Sequence, residues 1–333
     1  MSRNLFPLSI AASLLAGAAL ADVPRVAVDI APVHSLVVRV MQGVGVPSLI
    51  VAPGASPHEY SLRPSEATAL QEADLIFWVS PELTPWLEGA IATLAGGATV
   101  TELLEAEGTI ELPFREGALF EAHADEDEEH ADEDHDKDHA GHSDHEGEDH
   151  ADEKQAEHDD HGHGAQDPHA WLSPDNGAVW LNVIAAQLST ADPDNAGAYF
   201  GNAAAGREEL AALSADINTI LDPVRGRNFI VFHDAYQYFE TAFEFPASGA
   251  ISVSDASDPS PARIAEIQAR VKEQGVTCVL SEPQYDPGIL AAVMDGSEAR
   301  TGVLDPLGSD LEPGPDLYGD VLRNLATALA DCL

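Results

Sequence analysis

Positively charged residues are scarce in this sequence. Its 333 residues include 15 Lys and Arg against 58 Asp and Glu, which gives a formal net charge of −43 at pH 7. Binding to nucleic acid or to anionic lipid needs Lys and Arg that replace counterions at phosphates, so the composition argues against both as partners. A strongly negative field suits a cationic ligand, although acidity of this kind also serves solubility alone.

Long apolar runs are also scarce. The stretch "LFPLSIAASLLAGAAL" follows Arg3, and "ALA" at residues 19–21 is a small-x-small cleavage pattern directly before Asp22. We expect residues 1–21 to be a secretory signal peptide, with a buried first helix as the alternative. After Asp22 no apolar run reaches the ~18 residues that a membrane span needs. The expected mature protein is therefore exported and soluble, works in a periplasm and does not insert into a membrane.

Cysteine occurs only twice, at Cys278 and Cys332. In an oxidising compartment two such residues are expected to form a disulfide, and two free buried thiols are the alternative. A disulfide here would tie the end of the chain to the fold. We do not expect either residue to bind metal.

Short β-branched segments alternate with helical segments in two separate parts of the chain. The predicted strands are residues 25–30, 47–52 and 73–80, and then 228–232, 276–281 and 301–305. This alternation predicts parallel sheets with helical crossovers. Helix starts are marked at Pro64, Ser173–Pro174 and Ser260–Pro261, because Pro is favoured in the first turn and Ser caps free N–H groups.

The longest predicted helix begins near Pro193 and continues to Leu221, which makes it roughly 40 Å long. Such a helix can join two lobes as a stiff strut. The expected fold class is α/β, with two α/β lobes that have parallel-type sheets and are joined by this long rigid helix. After the signal peptide we expect an N-terminal lobe of residues 22–172, a helical part of residues 173–222 and a C-terminal lobe of residues 223–333.

One segment of the N-terminal lobe, residues 121–165, has a composition that cannot form a core. Between Glu121 and His163 it contains 10 His and 20 Asp or Glu, against two Lys. Such a segment cannot repay the entropy of ordering, so we expect it to be disordered without metal.

Four histidines lie outside this segment, and three of them share a context. His58 lies in the turn-rich loop after strand 47–52, His233 directly follows strand 228–232, and His169 lies just before a helix. Asp305 ends the last predicted strand. Because ligands of open α/β sheets bind beyond the carboxyl ends of strands, we expect these residues to meet between the two lobes. His34, which precedes an apolar helical run, is expected to be structural.

Three imidazoles with one carboxylate or water make a tetrahedral zinc site. Copper would also bind such a set, whereas calcium and magnesium prefer oxygen ligands. A single His at a strand end is more often only a polar side chain, but three in matching positions favour a metal site.

Five motifs carry a family resemblance: "GASPHEYSLRPSE", "DPHAWLSPDN", "FHDAYQYFE", "SEPQY" and "LDPLG". In order, spacing and flanks they resemble the motifs of the periplasmic zinc-binding proteins of zinc-uptake ABC transporters, the ZnuA family. The resemblance spans the whole mature chain. It implies two α/β lobes joined by a long helix, with Zn²⁺ bound in the cleft between the lobes and passed to an inner-membrane ABC permease.

The resemblance also implies a ligand set. His58, His169 and His233 match the family's zinc-binding histidines. Manganese- and iron-binding relatives have a Glu in place of His233, and a third imidazole favours zinc. Asp305 matches a carboxylate that binds metal in the manganese relatives, so the fourth ligand is expected to be Asp305 or a water.

Partners of the zinc ligands are expected to orient the imidazoles. The candidates that the sequence offers are Asp234, Tyr236 and Glu282. It does not assign them to particular histidines.

The family also has a His- and acid-rich loop where residues 121–165 stand. We expect this loop to be an auxiliary, low-affinity collector of several zinc ions that feeds or senses the cleft. Its ligands would be His130, His135, His139, His142, His145, His150, His158, His161 and His163. A charged insert that serves only solubility is the alternative.

We expect the protein to capture zinc without catalysing a reaction. It is expected to be a monomer that docks on its permease, and a periplasmic zinc chaperone is a further candidate partner. Two other classes of protein are the alternatives. An exported zinc hydrolase would need a general base and a substrate pocket, and no motif supplies them. A periplasmic zinc buffer would act mainly through the His-rich loop.

Overall fold

The computed structural model describes residues 23–115, 120, 166–252, 259–285 and 287–333. The expected signal peptide lies outside the described residues, and so do the nine histidines expected to form the auxiliary zinc sites. None of the helices within the described ranges is long and apolar enough to cross a membrane.

The first part of the chain forms a four-stranded parallel sheet with helical crossovers. In chain order its elements are β1 (Val26–Val28), α1 (Ala31–Val40), β2 (Ser48–Leu49), α2 (Pro64–Glu72), β3 (Leu75–Trp78), α3 (Pro85–Leu94) and β4 (Thr99–Glu102). The strand order is β2-β1-β3-β4, and every pair is parallel.

Two helices follow in the middle of the chain, α4 (Pro174–Ala191) and α5 (Ala196–Leu221). Ser173 caps α4 by accepting a hydrogen bond from the Asn176 backbone N–H, as the Ser-Pro signal predicts. The 26 residues of α5 span about 40 Å, so the prediction of a long helix is confirmed, with its start at Ala196 after a 3₁₀ turn at Pro193–Asn195.

The last part of the chain forms a second four-stranded parallel sheet. Its elements are β5 (Phe229–His233), α6 (Gln237–Phe243), β6 (Ala250–Ser252), α7 (Pro261–Glu273), β7 (Cys278–Ser281), α8 (Pro287–Met294), β8 (Arg300–Val303) and α9 (Leu317–Cys332). The strand order β6-β5-β7-β8 repeats the arrangement of the first sheet. The predicted α/β class with parallel sheets is therefore confirmed.

Both sheets are buried on both faces, which explains why their central strands are almost continuously apolar. In β3, Leu75 and Phe77 face a large core, whereas Ile76 and Trp78 face a smaller cluster on the other side. In β5, residues 229 and 231 face the same large core, and residues 230 and 232 face a third cluster. One apolar core therefore runs through both halves of the molecule.

Tyr318 on α9 fixes the C-terminal helix to the first half of the chain. Its backbone N–H donates to Ser35 Oγ on α1 at 3.0 Å, and its hydroxyl lies 2.8 Å from the carbonyl oxygen of Trp171. A Cβ added at Gly177 on α4 would lie 2.5 Å from this hydroxyl, so only glycine allows the approach. The two halves are held by specific contacts as well as by the long helix.

The expected disulfide between Cys278 and Cys332 is confirmed. It joins β7 to the end of α9, and both residues are buried. The bridge closes a loop with a sequence separation of 54 residues.

Removing this bridge should destabilise the fold. A Cys278→Ala/Cys332→Ala variant is expected to lose about 4 kcal/mol of unfolding free energy. Without the bridge the unfolded chain is no longer closed into a loop, and its conformational entropy rises. Urea denaturation of the metal-free protein measures the loss. A reducing agent should destabilise the wild type but not the variant, and equal midpoints for the two proteins would contradict the prediction.

Glu102 at the end of β4 should make stability depend on pH. Burial raises its pKa to about 7, and three neighbouring carboxylates add to the shift: Glu105, Glu82 and Glu88. Between pH ~4.5 and ~7 the folded chain keeps a proton at Glu102 that the unfolded chain has lost. The stability contributed by this group is therefore present below pH ~4.5 and is lost as the pH rises through ~7.

A Glu102→Gln variant cannot ionise at this position and should escape that loss. We expect it to match the wild type near pH 4.5 and to exceed it by on the order of 1 kcal/mol at pH 8, after allowance for solvent screening. Urea denaturation at the two pH values measures the difference. Glu107→Gln, at an exposed position nearby, is the control, and an equal pH response in both variants would refute the assignment.

Candidate metal centre

Three histidines from different elements converge at one small cavity. His58 lies in the loop between β2 and α2, His169 directly precedes the 3₁₀ turn Ala170–Leu172, and His233 is the last residue of β5. The His169 ring centroid lies 5.7 Å from that of His58 and 5.3 Å from that of His233. All three side chains line the same cavity.

These separations are close to what a shared metal requires. Imidazoles that bind one zinc at ~2.0–2.1 Å in tetrahedral geometry have ring centroids about 5 Å apart. The cavity has a volume of about 10 Å³, which is the space of a single water-sized sphere. Within the described residues no group of three His, Cys, Asp or Glu side chains is already arranged to hold an ion.

A buried carboxylate fixes the orientation of the His169 ring. Asp167 Oδ1 lies 2.7 Å from His169 Nδ1 and also accepts the backbone N–H of His169 at 3.0 Å. Because an ionised carboxylate only accepts hydrogen bonds, Nδ1 carries a proton, and when the ring is neutral Nε2 carries a lone pair. That tautomer is the one a metal needs.

His233 is held in the same way from the second sheet. Its Nδ1 lies 2.5 Å from Oε1 of Glu282, a buried residue just after β7. Gln284 donates to the other oxygen of Glu282 at 2.8 Å. The Tyr285 ring stacks on Phe232 and lies 5.6 Å from the His233 ring, so packing and hydrogen bonding together fix this imidazole.

The loop that carries His58 is positioned by aromatic side chains. Trp86 Nε1 donates to the carbonyl oxygen of Pro57 at 2.7 Å, and the Trp86 ring packs against Tyr60 at 5.5 Å. The Tyr60 hydroxyl donates to Glu66 at the start of α2. His58 itself is half-buried, whereas the other two histidines are buried, so solvent reaches the site from the His58 side.

Asp305 lies two residues beyond the end of β8. Its carboxylate accepts hydrogen bonds from the backbone N–H groups of Leu307, Gly308 and Ser309 at 3.1, 2.9 and 2.5 Å. It therefore shapes the turn whose Pro306 and Leu307 line the cavity. The Ser309 hydroxyl donates a fourth hydrogen bond to the same carboxylate at 3.3 Å, so Asp305 is already engaged by its own turn, and its role as fourth ligand stays a prediction.

Tyr236 stays neutral in this surrounding. Burial raises its pKa well above the usual value, and the negative charges of Glu282 and Asp305 raise it further. Its ring lies 6.2 Å from that of His233. It adds bulk to the site and no charge.

Of the three partners suggested by the sequence, Glu282 contacts His233 directly, whereas Asp234 forms an ion pair with Arg115. Sequence reasoning missed Asp167 and Arg115. The spacing of "DPH" could have identified Asp167, because an Asp commonly accepts the backbone N–H two residues later. No local pattern identifies Arg115.

His34 lies away from the site, inside α1. Its Nε2 is 3.2 Å from the carbonyl oxygen of Pro47, and burial lowers its pKa. This contact agrees with the structural role expected for it.

A solute-binding protein for a metal ion, built on two α/β halves and a helical middle, is the class to which this fold and these histidines point. Comparison with known proteins narrows the class. Residues 26–332 match the family model described as "Zinc-uptake complex component A periplasmic", and the chain belongs to this family.

Curated relatives agree with the family match. The "High-affinity zinc uptake system protein ZnuA" of Brucella abortus (strain 2308) is 46% identical over 345 residues, which cover 99% of both chains. The protein of the same name from Paracoccus denitrificans (strain Pd 1222) is 43% identical over 94% of this chain and 93% of its own length.

Solved structures share the fold. A crystal structure of ZnuA superimposes with a TM-score of 0.69 at 24% identity, over 93% of this chain and 99% of that one. A mutant of the laminin-binding adhesin of Streptococcus agalactiae reaches the same TM-score at 21% identity over the same shares. At these identities the likeness shows the fold alone.

Replacing either orienting carboxylate by its amide should weaken zinc binding. In Asp167→Asn and Glu282→Gln the amide NH₂ can donate to Nδ1, which places the ring proton on Nε2 and removes the lone pair. We expect each variant to bind zinc 10–100-fold more weakly, measured by competition with a chelator. Glu266→Gln, which alters an exposed carboxylate paired with Arg263, is the control, and unchanged affinity in both site variants would contradict this account.

Proposed function

We propose that this protein captures one Zn²⁺ in the periplasm through His58, His169 and His233 and delivers it to a zinc ABC permease in the inner membrane. The observation that carries the proposal is the pair of carboxylate–imidazole contacts, Asp167 with His169 and Glu282 with His233. In neutral rings these contacts hold the proton on Nδ1, which supports Nε2 as the metal-binding atom of each histidine. The names of the relatives support zinc as the ion.

The charge of the site suits a divalent cation that has to be bound firmly and later released. Three neutral imidazoles contribute no charge, and the two orienting carboxylates together contribute −2 when ionised. That charge offsets the +2 of bound zinc from outside the ligand shell. A fourth ligand from Asp305 would add a further negative charge, whereas a water would not.

Transport of an ion fits the site better than catalysis does. A zinc hydrolase needs space for a substrate next to the metal-bound water and a base within reach. The cavity between the histidines has room for about one ion. We therefore propose a binding protein that is not an enzyme and acts as a monomer, with the permease as its partner and a periplasmic zinc chaperone as a further candidate.

The His-rich segment of residues 121–165 is proposed as an accessory collector of zinc. Its composition supplies many imidazoles, and ordering them around ions costs entropy, so each ion should bind more weakly than in the main site. The second candidate function is a zinc buffer that acts mainly through this segment. The many imidazoles of the segment are the observation that favours it.

Zinc stoichiometry and affinity distinguish the two functions. The mature chain is compared by chelator competition with a form lacking residues 121–165, and with that form carrying His58→Ala, His169→Ala and His233→Ala. We expect one tight site that survives the deletion and disappears with the triple change, whereas total zinc should fall when the segment is removed. His34→Gln, which alters a histidine outside the site, should keep the tight site.

Loss of all tight binding on deletion of the segment would favour the buffer instead. Unchanged total stoichiometry after the deletion would refute the accessory role. Zinc import under zinc limitation, measured with the same variants, tests delivery: it should survive the deletion and fail in the triple variant.

A further inference from the structure

Arg115 connects the first half of the chain to the segment that carries His233. Its Nε donates to both oxygens of Asp234 at 2.9 and 3.0 Å, and its two Nη atoms donate to the oxygens of Glu240 at 2.8 and 3.1 Å. Asp234 follows His233 directly in the chain. One guanidinium therefore binds two carboxylates, one beside a predicted zinc ligand and one on α6.

These three side chains are shielded from solvent. The exposed fractions of the Arg115, Asp234 and Glu240 side chains are 17%, 6% and 7%, and the Phe120 ring covers the guanidinium at 3.5 Å. Charge-assisted bonds in such a setting are strong and hold one geometry. Glu240 also accepts the backbone N–H of Ala247 at 3.1 Å, so the contact extends to the turn before β6.

A second set of bonds links the same segment to His169. The Tyr238 hydroxyl accepts the backbone N–H of Leu112 and donates to the carbonyl oxygen of Asp167, both at 2.9 Å. The backbone N–H of Asp167 donates to the carbonyl oxygen of Leu112 at 2.8 Å. Asp167 is the residue that orients His169, so residues 112–115 contact both the support of His169 and the residue that follows His233.

We propose that Arg115 is a positioning residue for the metal site, which sets the separation of His169 and His233 and thereby slows the loss of bound zinc. This inference rests on the proposed function. The guanidinium does not contact the ion. It holds the residue after His233 against the chain segment that supports His169, so the two Nε2 atoms stay at a distance that one ion can bridge.

The two contacts at this position require an arginine and cannot be made by every cationic side chain. A guanidinium presents five N–H donors in a fixed plane and can engage two carboxylates at once, whereas a lysine ammonium is a point charge on a flexible chain. Lysine at position 115 would keep the charge balance with Asp234 and Glu240. It would lose the rigid double contact that fixes the segment.

The test compares zinc release from the full mature chain and its variants. Zinc dissociation is timed after addition of excess chelator, and Co²⁺ in place of zinc reports the ligand geometry through its visible absorption. We expect Arg115→Met to release zinc roughly tenfold faster and to change the cobalt spectrum. Arg115→Lys should recover most of the thermal stability but still release zinc faster than the wild type.

Arg39→Met is the matched control. Arg39 is 14% exposed and binds Glu209 through two nitrogens at 2.9 and 2.7 Å, on the contact of α1 with α5. Its loss should lower the melting temperature and leave the zinc release rate and the cobalt spectrum unchanged. If Arg115→Met does not fold, Arg115→Lys provides the comparison with this control.

The variants of Arg115 could lower the melting temperature but release zinc at the wild-type rate with an unaltered cobalt spectrum. Arg115 would then have a purely structural role. That result would overturn the inference and leave the proposed function intact. A wild-type chain without a tight zinc site would instead overturn the proposed function, and the positioning role with it.

Discussion

The hydrogen bonds from His169 to Asp167 and from His233 to Glu282 determine which nitrogen of each neutral imidazole carries the proton. Neutral imidazole exists as two tautomers, and only one of them leaves Nε2 able to bind a metal. Each carboxylate selects that tautomer by accepting the Nδ1 proton. The turn before the 3₁₀ segment and the end of β7 each place an acceptor beside a ring.

The scaffold limits how the site can change. The two sheets and the helices α1, α4, α5 and α9 share one apolar core, and Tyr318 links α9 to both α1 and α4. Rotating the halves as rigid bodies would open that core to water, which costs far more than local movements do. Uptake and release of an ion are therefore expected to involve the half-buried His58 loop more than a wide opening of the molecule.

Much of this fold follows from local sequence patterns. Central strands such as β3 and β5 are apolar on both faces, and Pro or Ser-Pro pairs begin α2, α4 and α7, so these elements were predictable. The strand β4 was missed because its residues are largely exposed and polar. The short elements α6, β6 and α8 were also missed, since tertiary packing stabilises them more than their own sequence does.

The convergence of His58 and His233 was predictable in part, because His58 follows a strand and His233 ends one, and ligands of α/β sheets bind at the carboxyl ends of strands. The supports of the site were harder to find. Asp167 is two residues from His169 and lies within reach of sequence reasoning, whereas Arg115 contacts carboxylates 119 and 125 positions away. Contacts of that range depend on the assembled fold, which no local pattern encodes.

The backbone bridge between Pro113 and Gln166 has a consequence for how this chain can vary. It brings the two ends of the intervening segment to within one strand spacing, next to the groups that support the histidines. The entropy of closing a flexible loop grows only with the logarithm of its length, so that doubling it costs only about 0.6 kcal/mol. An insertion or deletion in the acidic segment that leaves Arg115 and Phe120 in place should therefore cost the folded site little stability.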